Sequence, residues 1–161
     1  MVWSKLDSKT LDGSAEEIVT DVFEEKKFLW IISNVINSGR VDYQQQFGNT
    51  TVETGQYYAR RQAVNGVDSA GSAPRYNVDE SSSSETSRMM ISNVINIGAK
   101  EKLVQTLFVN AGADGAGTAP SVSLTWGKWS EATDQIDILR VYDTQSGSYA
   151  INSNLTVFGT D

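Results

Sequence analysis

The sequence contains no cysteine and no histidine. Without these side chains the chain has no disulfide, no thiol nucleophile, no imidazole base and none of the usual zinc ligands. A catalytic triad of the Ser-His-Asp kind is therefore excluded, and with it a large share of hydrolytic chemistry. We expect the chain to be non-enzymatic and to carry no cofactor.

Basic residues are also scarce, since 13 Lys and Arg stand against 20 Asp and Glu and give a net charge of −7. A chain of this charge is repelled by the phosphates of nucleic acids and by anionic lipids. The longest apolar run, residues 28–32, is far shorter than the roughly 18 residues of a membrane span. The N-terminus also lacks the basic and apolar regions of a signal peptide. We expect no nucleic-acid or membrane partner, and synthesis and folding in a cytosol.

The apolar residues that are present favour strands. The chain has 15 Val and 10 Ile against 8 Leu, together with 32 Ser and Thr, and β-branched residues are enriched in strands. Short segments of this composition recur about every ten residues. They predict an all-β protein, a single antiparallel β-sandwich domain over residues 1–161 with about 8–10 strands. The clearest segments are 28–36, 41–47, 102–110, 121–126, 135–142 and 154–158.

Alternation along these segments predicts the sides of each strand. The apolar start of 28–36 indicates a strand covered on both faces, whereas 41–47 has one buried and one solvated face. Trp30 and Trp129 are the predicted core anchors. In the later segments, the apolar side chains that point one way are Leu103, Leu107, Val109, Val122, Leu124, Trp126, Ile136 and Ile138.

Two segments are open to alternatives. Residues 14–23 begin with the S-x-x-E form of a helix capping box, yet their β-branched residues favour a strand, which we prefer. The segment ISNVIN occurs at 32–37 and again at 91–96. A duplicated half-sandwich would explain the repeat, but the flanking residues differ. Two strands of the same composition that end in an Asn-x-Gly turn are the simpler interpretation.

Two long loops are predicted, a Ser/Gly-rich one at 68–87 and an Ala/Gly-rich one at 111–120. Aromatic and Arg residues gather beside the first, and such residues are enriched at the centres of interfaces. The predicted subunit interface comprises Tyr57, Tyr58, Arg60, Arg61, Arg75 and Tyr76. The alternative role for exposed aromatics is carbohydrate stacking, by Trp126, Tyr57, Tyr58 or Tyr76.

The acidic residues offer two weaker sites. Glu131, Asp134 and Asp137 could supply the two carboxyl groups of a glycosidase, but the first two are expected to be solvated turn residues and the third an outward strand position. Asp114 could join a calcium site, yet its segment offers a single carboxylate where calcium needs six or more oxygens. We therefore assign no catalytic or metal residue.

Motifs in a fixed order extend along nearly the whole chain. An opening stretch LDSKTLDGSAEEIVTDVF leads to FLWIISNVINSGRV and then to YQQQFGNTTVETGQYY. After the Ser-rich segment come RMMISNVINIG, Gly127-Lys128-Trp129, an Ile-Asp-Ile strand and the closing TVFGTD. In this order the chain resembles a group of small virion structural proteins of tailed phages.

The resemblance implies a jelly-roll-like sandwich that assembles on a virion surface, often as a trimer. The expected role is capsid decoration, a cement protein that stabilises the particle by packing against copies of itself and against other virion proteins. A tail appendage or a receptor-binding carbohydrate module is the alternative, with a glycan as partner. Where this chain differs, the usual Pro-containing turn after the second strand is replaced by residues 24–27 and the Phe-Asn-Gly turn by residues 47–49.

Overall fold

The computed structural model describes residues 2–39, 41–52, 58–64, 67–73, 76–82, 87–111, 117 and 119–161, and between 58 and 82 it describes the backbone alone. The all-β prediction is confirmed, because the described residues form strands and no helix. They form fourteen strands: β1 (Ser4–Thr10), β2 (Glu17–Val19), β3 (Phe28–Ser38), β4 (Val41–Asn49), β5 (Thr51–Val52), β6 (Tyr58–Val64), β7 (Val67–Ala73), β8 (Tyr76–Ser82), β9 (Ser87–Ile95), β10 (Lys102–Asn110), β11 (Ser121–Trp129), β12 (Ile138–Tyr142), β13 (Ser148–Tyr149) and β14 (Asn154–Thr160).

The strands form two antiparallel sheets. The larger sheet has the order β1-β14-β3-β9-β10-β11-β6-β7, with β13 also paired to β3. The smaller sheet has the order β2-β12-β4-β5, with β8 also paired to β4. The buried side chains of the two sheets form one hydrophobic cluster, so the sheets pack face to face as a sandwich.

Eight strands follow the path of a jelly roll. The chain enters the larger sheet at β1, crosses to β2, returns at β3 and crosses again to β4, and the later strands β8, β9, β12 and β14 repeat this alternation. The result is one four-strand set β1-β14-β3-β9 facing another, β2-β12-β4-β8, which is the double Greek key of a jelly roll. Hairpins β6–β7 and β10–β11 lengthen the larger sheet beyond β9, so there are more strands than the 8–10 predicted.

The core lies between the sheets and contains several aromatic rings. Trp129 is completely buried, and its ring centroid lies 6.3 Å from that of Phe47 across the sandwich. Tyr43 and Phe108 form a second pair at 5.9 Å. Trp129 therefore lies in the core, as predicted.

Trp30 does not lie in the core, so that prediction is wrong. It is 37% exposed, while its neighbours Leu29 and Ile31 are buried on the other side of β3. Successive residues of a strand point to opposite faces, so a continuous apolar run places apolar side chains on both. The outward residues of β3 are half-buried or exposed, and the strand is not covered on both faces as expected.

Strand β4 is more buried than predicted. The face expected to be solvated carries Asp42, Gln44 and Gln46, and all three are at least 93% buried. Neighbouring side chains lie across this face: Arg140 donates two hydrogen bonds to Gln46 Oε1, and Gln145 donates one to Asp42. The amides and the carboxylate are therefore covered while they keep polar partners.

Two local predictions are settled by the strand bounds. Within residues 14–23 the chain forms the short strand β2 and an isolated bridge between Ala15 and Tyr149, so the strand interpretation is confirmed. The predicted loop at 68–87 is wrong for most of its length, because β7 and β8 lie within it. Their backbones pair with β6 and β4, and a ladder of backbone hydrogen bonds does not require apolar side chains.

The repeated ISNVIN segments lie in the neighbouring strands β3 and β9 and extend in opposite directions from one shared pair. These strands are antiparallel neighbours, and Ile32 pairs with Ile91, the first residue of each copy. In both copies the Ser, Val and second Asn point into the core and are buried. Both copies are therefore strands of one sheet with the same buried positions, which both interpretations of the repeat allow.

Candidate functional site

The outward side of the larger sheet is unusually apolar. We call it the outer face and define it by the outward residues of β3, β9, β10 and β11, together with Trp3, which packs edge-on against Trp30 at 6.3 Å. Among these four strands, Lys128 is the single charged outward residue. The apolar members of the four strands are Phe28, Trp30, Ile32, Ile36, Met89, Ile91, Ile95, Leu103, Leu107, Val109, Val122, Leu124 and Trp126.

Strand pairing arranges these side chains in rows across the sheet. One row is aliphatic and runs Ile32, Ile91, Leu107, Leu124 on four successive strands. The next row has aromatic ends and a polar middle, and runs Trp30, Asn93, Gln105, Trp126. Residues opposite each other in a sheet point to the same side, so each row is a continuous strip of surface.

The apolar alternation of β10 and β11 therefore marks the outside of the sandwich. The side chains that turn inward from β10 are Lys102, Val104, Thr106, Phe108 and Asn110, all buried. Two of them are hydrogen-bonded polar groups: Thr106 bonds Ser92 at 2.7 Å, and Lys102 bonds backbone carbonyls. Polarity alone therefore indicates the wrong side of this strand.

The outer face exposes many apolar residues to solvent. Eight of its residues, three of them Trp, are between 37% and 53% exposed. Apolar residues exposed singly are ordinary on a protein surface, whereas a contiguous exposed apolar patch marks a contact surface. The eight are Trp3, Trp30, Met89, Ile95, Leu103, Leu107, Val122 and Trp126.

A cleft of about 590 Å³ lies at one end of the outer face. Trp3 and Trp126 line it, with Phe28, Ile95 and Leu103 as further apolar walls. Asn93 and Gln105 bring two amides into this otherwise apolar lining, and both side chains are exposed. A shallow apolar cleft with a few polar groups is the usual form of a recognition surface.

The outer side of the smaller sheet has a different character. Arg140 lies over the Tyr142 ring at 4.2 Å and forms an ion pair with Glu17 at 3.0 Å. Beside them the amide of Gln46 and the carboxylate of Asp42 take hydrogen bonds. The outer side of the smaller sheet is thus polar and internally bonded, in contrast to the apolar outer face.

Three of the candidate acidic residues accept hydrogen bonds from other groups of the chain. Glu131 accepts from the backbone and hydroxyl of Thr133, and these bonds lower the pKa of its carboxyl group, which therefore stays ionised. Asp137 is buried instead of pointing outward as predicted, and it accepts a 2.6 Å bond from the amide of Thr50, a residue with φ of 62°. Asp134 accepts from the Thr133 hydroxyl. Asp114 lies outside the described residues.

Buried ionisable groups occur in the core and serve structure. Lys102 is completely buried, donates to the carbonyls of Lys100 and Glu131 at 2.7 and 3.1 Å, and lies 5.9 Å from the Trp129 ring centre. Burial lowers the pKa of its ammonium group. Burial also raises the pKa of the Tyr149 phenol, which donates to the carbonyl of Asp42.

The predicted interface residues are outside what the structure describes at side-chain level. Tyr57 and Arg75 lie outside the described residues, and Tyr58, Arg60, Arg61 and Tyr76 are described by their backbones in β6 and β8. Trp126 was predicted as an exposed aromatic, whereas the outer face as a whole was not predicted. The signal was present in β10, where both alternating sets contain apolar residues.

The fold and surface define an antiparallel jelly roll with one apolar outer side. Comparison with protein families, curated proteins and solved structures gives no match to this chain. The described residues include no helix long and apolar enough to cross a membrane. They also bring together no group of three or more acidic side chains that could hold a metal ion.

Proposed function

We propose that this chain is a non-enzymatic virion structural protein, of the capsid decoration or cement kind, that stabilises the particle surface by packing between subunits. The observation that carries the proposal is the outer face. In an antiparallel sheet with one side in water, the side chains along each strand usually alternate between an apolar inner side and a polar outer side. The strands β3, β9, β10 and β11 instead carry apolar side chains on both sides. Burial against a neighbouring protein surface removes the outer face from water.

The ordered sequence motifs support the same role from a separate direction, because their order resembles that of phage virion proteins over nearly the whole chain. The net charge of −7 disfavours a nucleic-acid or membrane partner. In this role the working parts are a stable sandwich and an apolar contact surface whose one charged residue, Lys128, is paired with Glu101. No cofactor takes part, and the chain acts at the virion surface after synthesis in the host cytoplasm.

Attachment to particles tests the proposal. Purified chain is mixed with particles stripped of it, sedimented and quantified, with Val122→Glu and Val22→Glu as matched variants. Val122 is 43% exposed on the outer face, and Val22 is 54% exposed outside the strands. We expect Val122→Glu to lose attachment and Val22→Glu to keep it. Equal attachment of both variants, or absence of the chain from intact particles, would contradict the proposal.

A second candidate function is saccharide binding, favoured by the cleft. Asn93 and Gln105 stand between Trp30 and Trp126 in one row, whose end strands are roughly 14 Å apart at the usual spacing between strands. Aromatic faces that flank amide groups suit the apolar face and hydroxyl groups of a sugar ring. A glycan array probed with wild type, Trp126→Ala and Gln105→Ala tests it. Loss of a specific signal in both variants supports the receptor-binding alternative, and no signal from the wild type refutes it.

A further inference from the structure

We infer that the partner of the outer face is a second copy of this chain, packed face to face across a two-fold axis. The inference rests on the proposed function, in which the outer face is buried in an assembly, and it specifies the partner. Three features of the face carry it: its extent, its lack of unpaired charge and the amides at its middle.

The extent of the outer face suits one side of a stable interface. Standard interfaces involve about 20–30 residues on each partner, and the outer face comprises 19 outward strand residues together with Trp3. The sheet supplies these residues from adjacent strands without a deep concavity. Two such faces can approach at the roughly 10 Å separation of packed sheets, with their side chains interdigitated.

The lack of unpaired charge on the outer face argues against a basic partner. A chain of net charge −7 that recognised a basic partner would present carboxylates at the contact. The outward residues of β3, β9, β10 and β11 include no carboxylate, and their one cation, Lys128, is already paired with Glu101 at 2.8 Å. The outer face is thus a neutral surface on an otherwise acidic molecule, so two copies can meet there without opposing like charges at the contact.

The amides of Asn93 and Gln105 fit a symmetric contact. They lie on β9 and β10, the two middle strands of the outer face, and pair across the sheet. Each amide carries both a donor and an acceptor. An amide is therefore complementary to a copy of itself turned through a two-fold axis, and polar pairs of this kind fix the register of otherwise apolar contacts.

The inference differs from the trimer that the family resemblance implies. A face that packs against its own copy makes an isologous contact, which closes at two chains. A cyclic trimer needs two different, mutually complementary surfaces on every chain. The outer face supplies one surface, and it can pair with its own copy.

Light scattering on the purified chain between low and high micromolar concentration tests the inference. We expect the wild type to reach twice the mass of a 17.6 kDa chain. Leu107 is 39% exposed near the middle of the outer face, opposite Ile91. Leu107→Glu should weaken association on the order of 100-fold, because it leaves carboxylates unpaired in a buried contact. Ile151→Glu, at a 53% exposed turn position, is the control and should associate like the wild type.

A charge-swap mixture adds a test of the symmetry. Near a two-fold axis, position 107 of one copy lies close to position 107 of the other, so mixing Leu107→Glu with Leu107→Lys should restore the dimer. A wild type that stays monomeric, a trimer, or a dimer that Leu107→Glu leaves intact would each overturn the inference. A monomer that still binds particles through Val122 overturns self-association and leaves the proposed function standing. A dimer that is absent from particles supports self-association and contradicts the proposed function.

Discussion

Replacement of Trp129 by alanine tests where the core lies. Trp129 is completely buried, faces Phe47 across the sandwich at 6.3 Å and lies against the Lys102 ammonium. Removing a buried Trp side chain typically costs about 3–5 kcal/mol, because contacts are lost and a cavity remains. Domains of this size have total stabilities of about 5–15 kcal/mol, so the variant should lose a large share of its stability.

The matched control is Trp30→Ala. Trp30 is 37% exposed and contacts Trp3 and Phe158 on the outer face. Solvent fills the space left at this position, so we expect a cost of about 1–2 kcal/mol. Urea unfolding at a protein concentration low enough to keep the chain monomeric, followed by far-ultraviolet circular dichroism, gives both free energies. A cost for Trp30→Ala equal to or above that of Trp129→Ala would refute the assignment of inner and outer faces.

Three further predictions follow from the same structure. Asn96 bonds the carbonyl of Lys26 and both backbone groups of Ile136, so Asn96→Ala should cost about 2–4 kcal/mol in urea unfolding, whereas exposed Asn93→Ala should change stability by less than about 0.5 kcal/mol. Gly48→Ala would bring a Cβ to 1.9 Å from the backbone oxygen of Thr51 and should cost about 1–3 kcal/mol or more, whereas Gly13→Ala, with nothing within 4 Å, should be nearly neutral by thermal unfolding. Burial lowers the pKa of Lys102 in the folded chain below its ordinary value of 10.5. Between the folded and unfolded pKa values the unfolded chain binds more protons, so the free energy of unfolding should rise with pH in that window relative to Lys102→Met. A difference in unfolding free energy between the two proteins that stays constant from pH 7 to 10.5 would contradict this.

The strands could be predicted from the sequence, but the inner side of several could not. Alternation located β10 and β11 within a few residues, because period-two patterns and β-branched residues are local signals. Both sides of β10 carry apolar residues, however, and its inner side also carries Lys102 and Thr106. Those polar groups are stabilised by partners distant in sequence, Glu131 and Ser92 among them. Contacts of this kind do not appear in a local pattern, so alternation grouped the apolar side chains of β10 without showing that they face outward.

The strands β7 and β8 show a second limit. Their Ser, Gly and Asp content is typical of loops, and their pairing depends on backbone groups of β6 and β4. The outer face was missed for a related reason. Each of its rows joins residues from four strands, and only the register of the sheet reveals that Trp30, Asn93, Gln105 and Trp126 form one strip.

Oxidative footprinting of the two adjacent methionines Met89 and Met90 tests the central claim, that the outer face is buried by assembly. Met89 is 43% exposed on the outer face, while Met90 is completely buried in the core and serves as an internal control. Methionine oxidation requires access of the oxidant to the sulfur. We predict that Met89 is oxidised in dilute protein and becomes protected as the concentration rises, while Met90 stays protected throughout. Oxidation of Met89 that is independent of concentration and unchanged on particles would contradict the account.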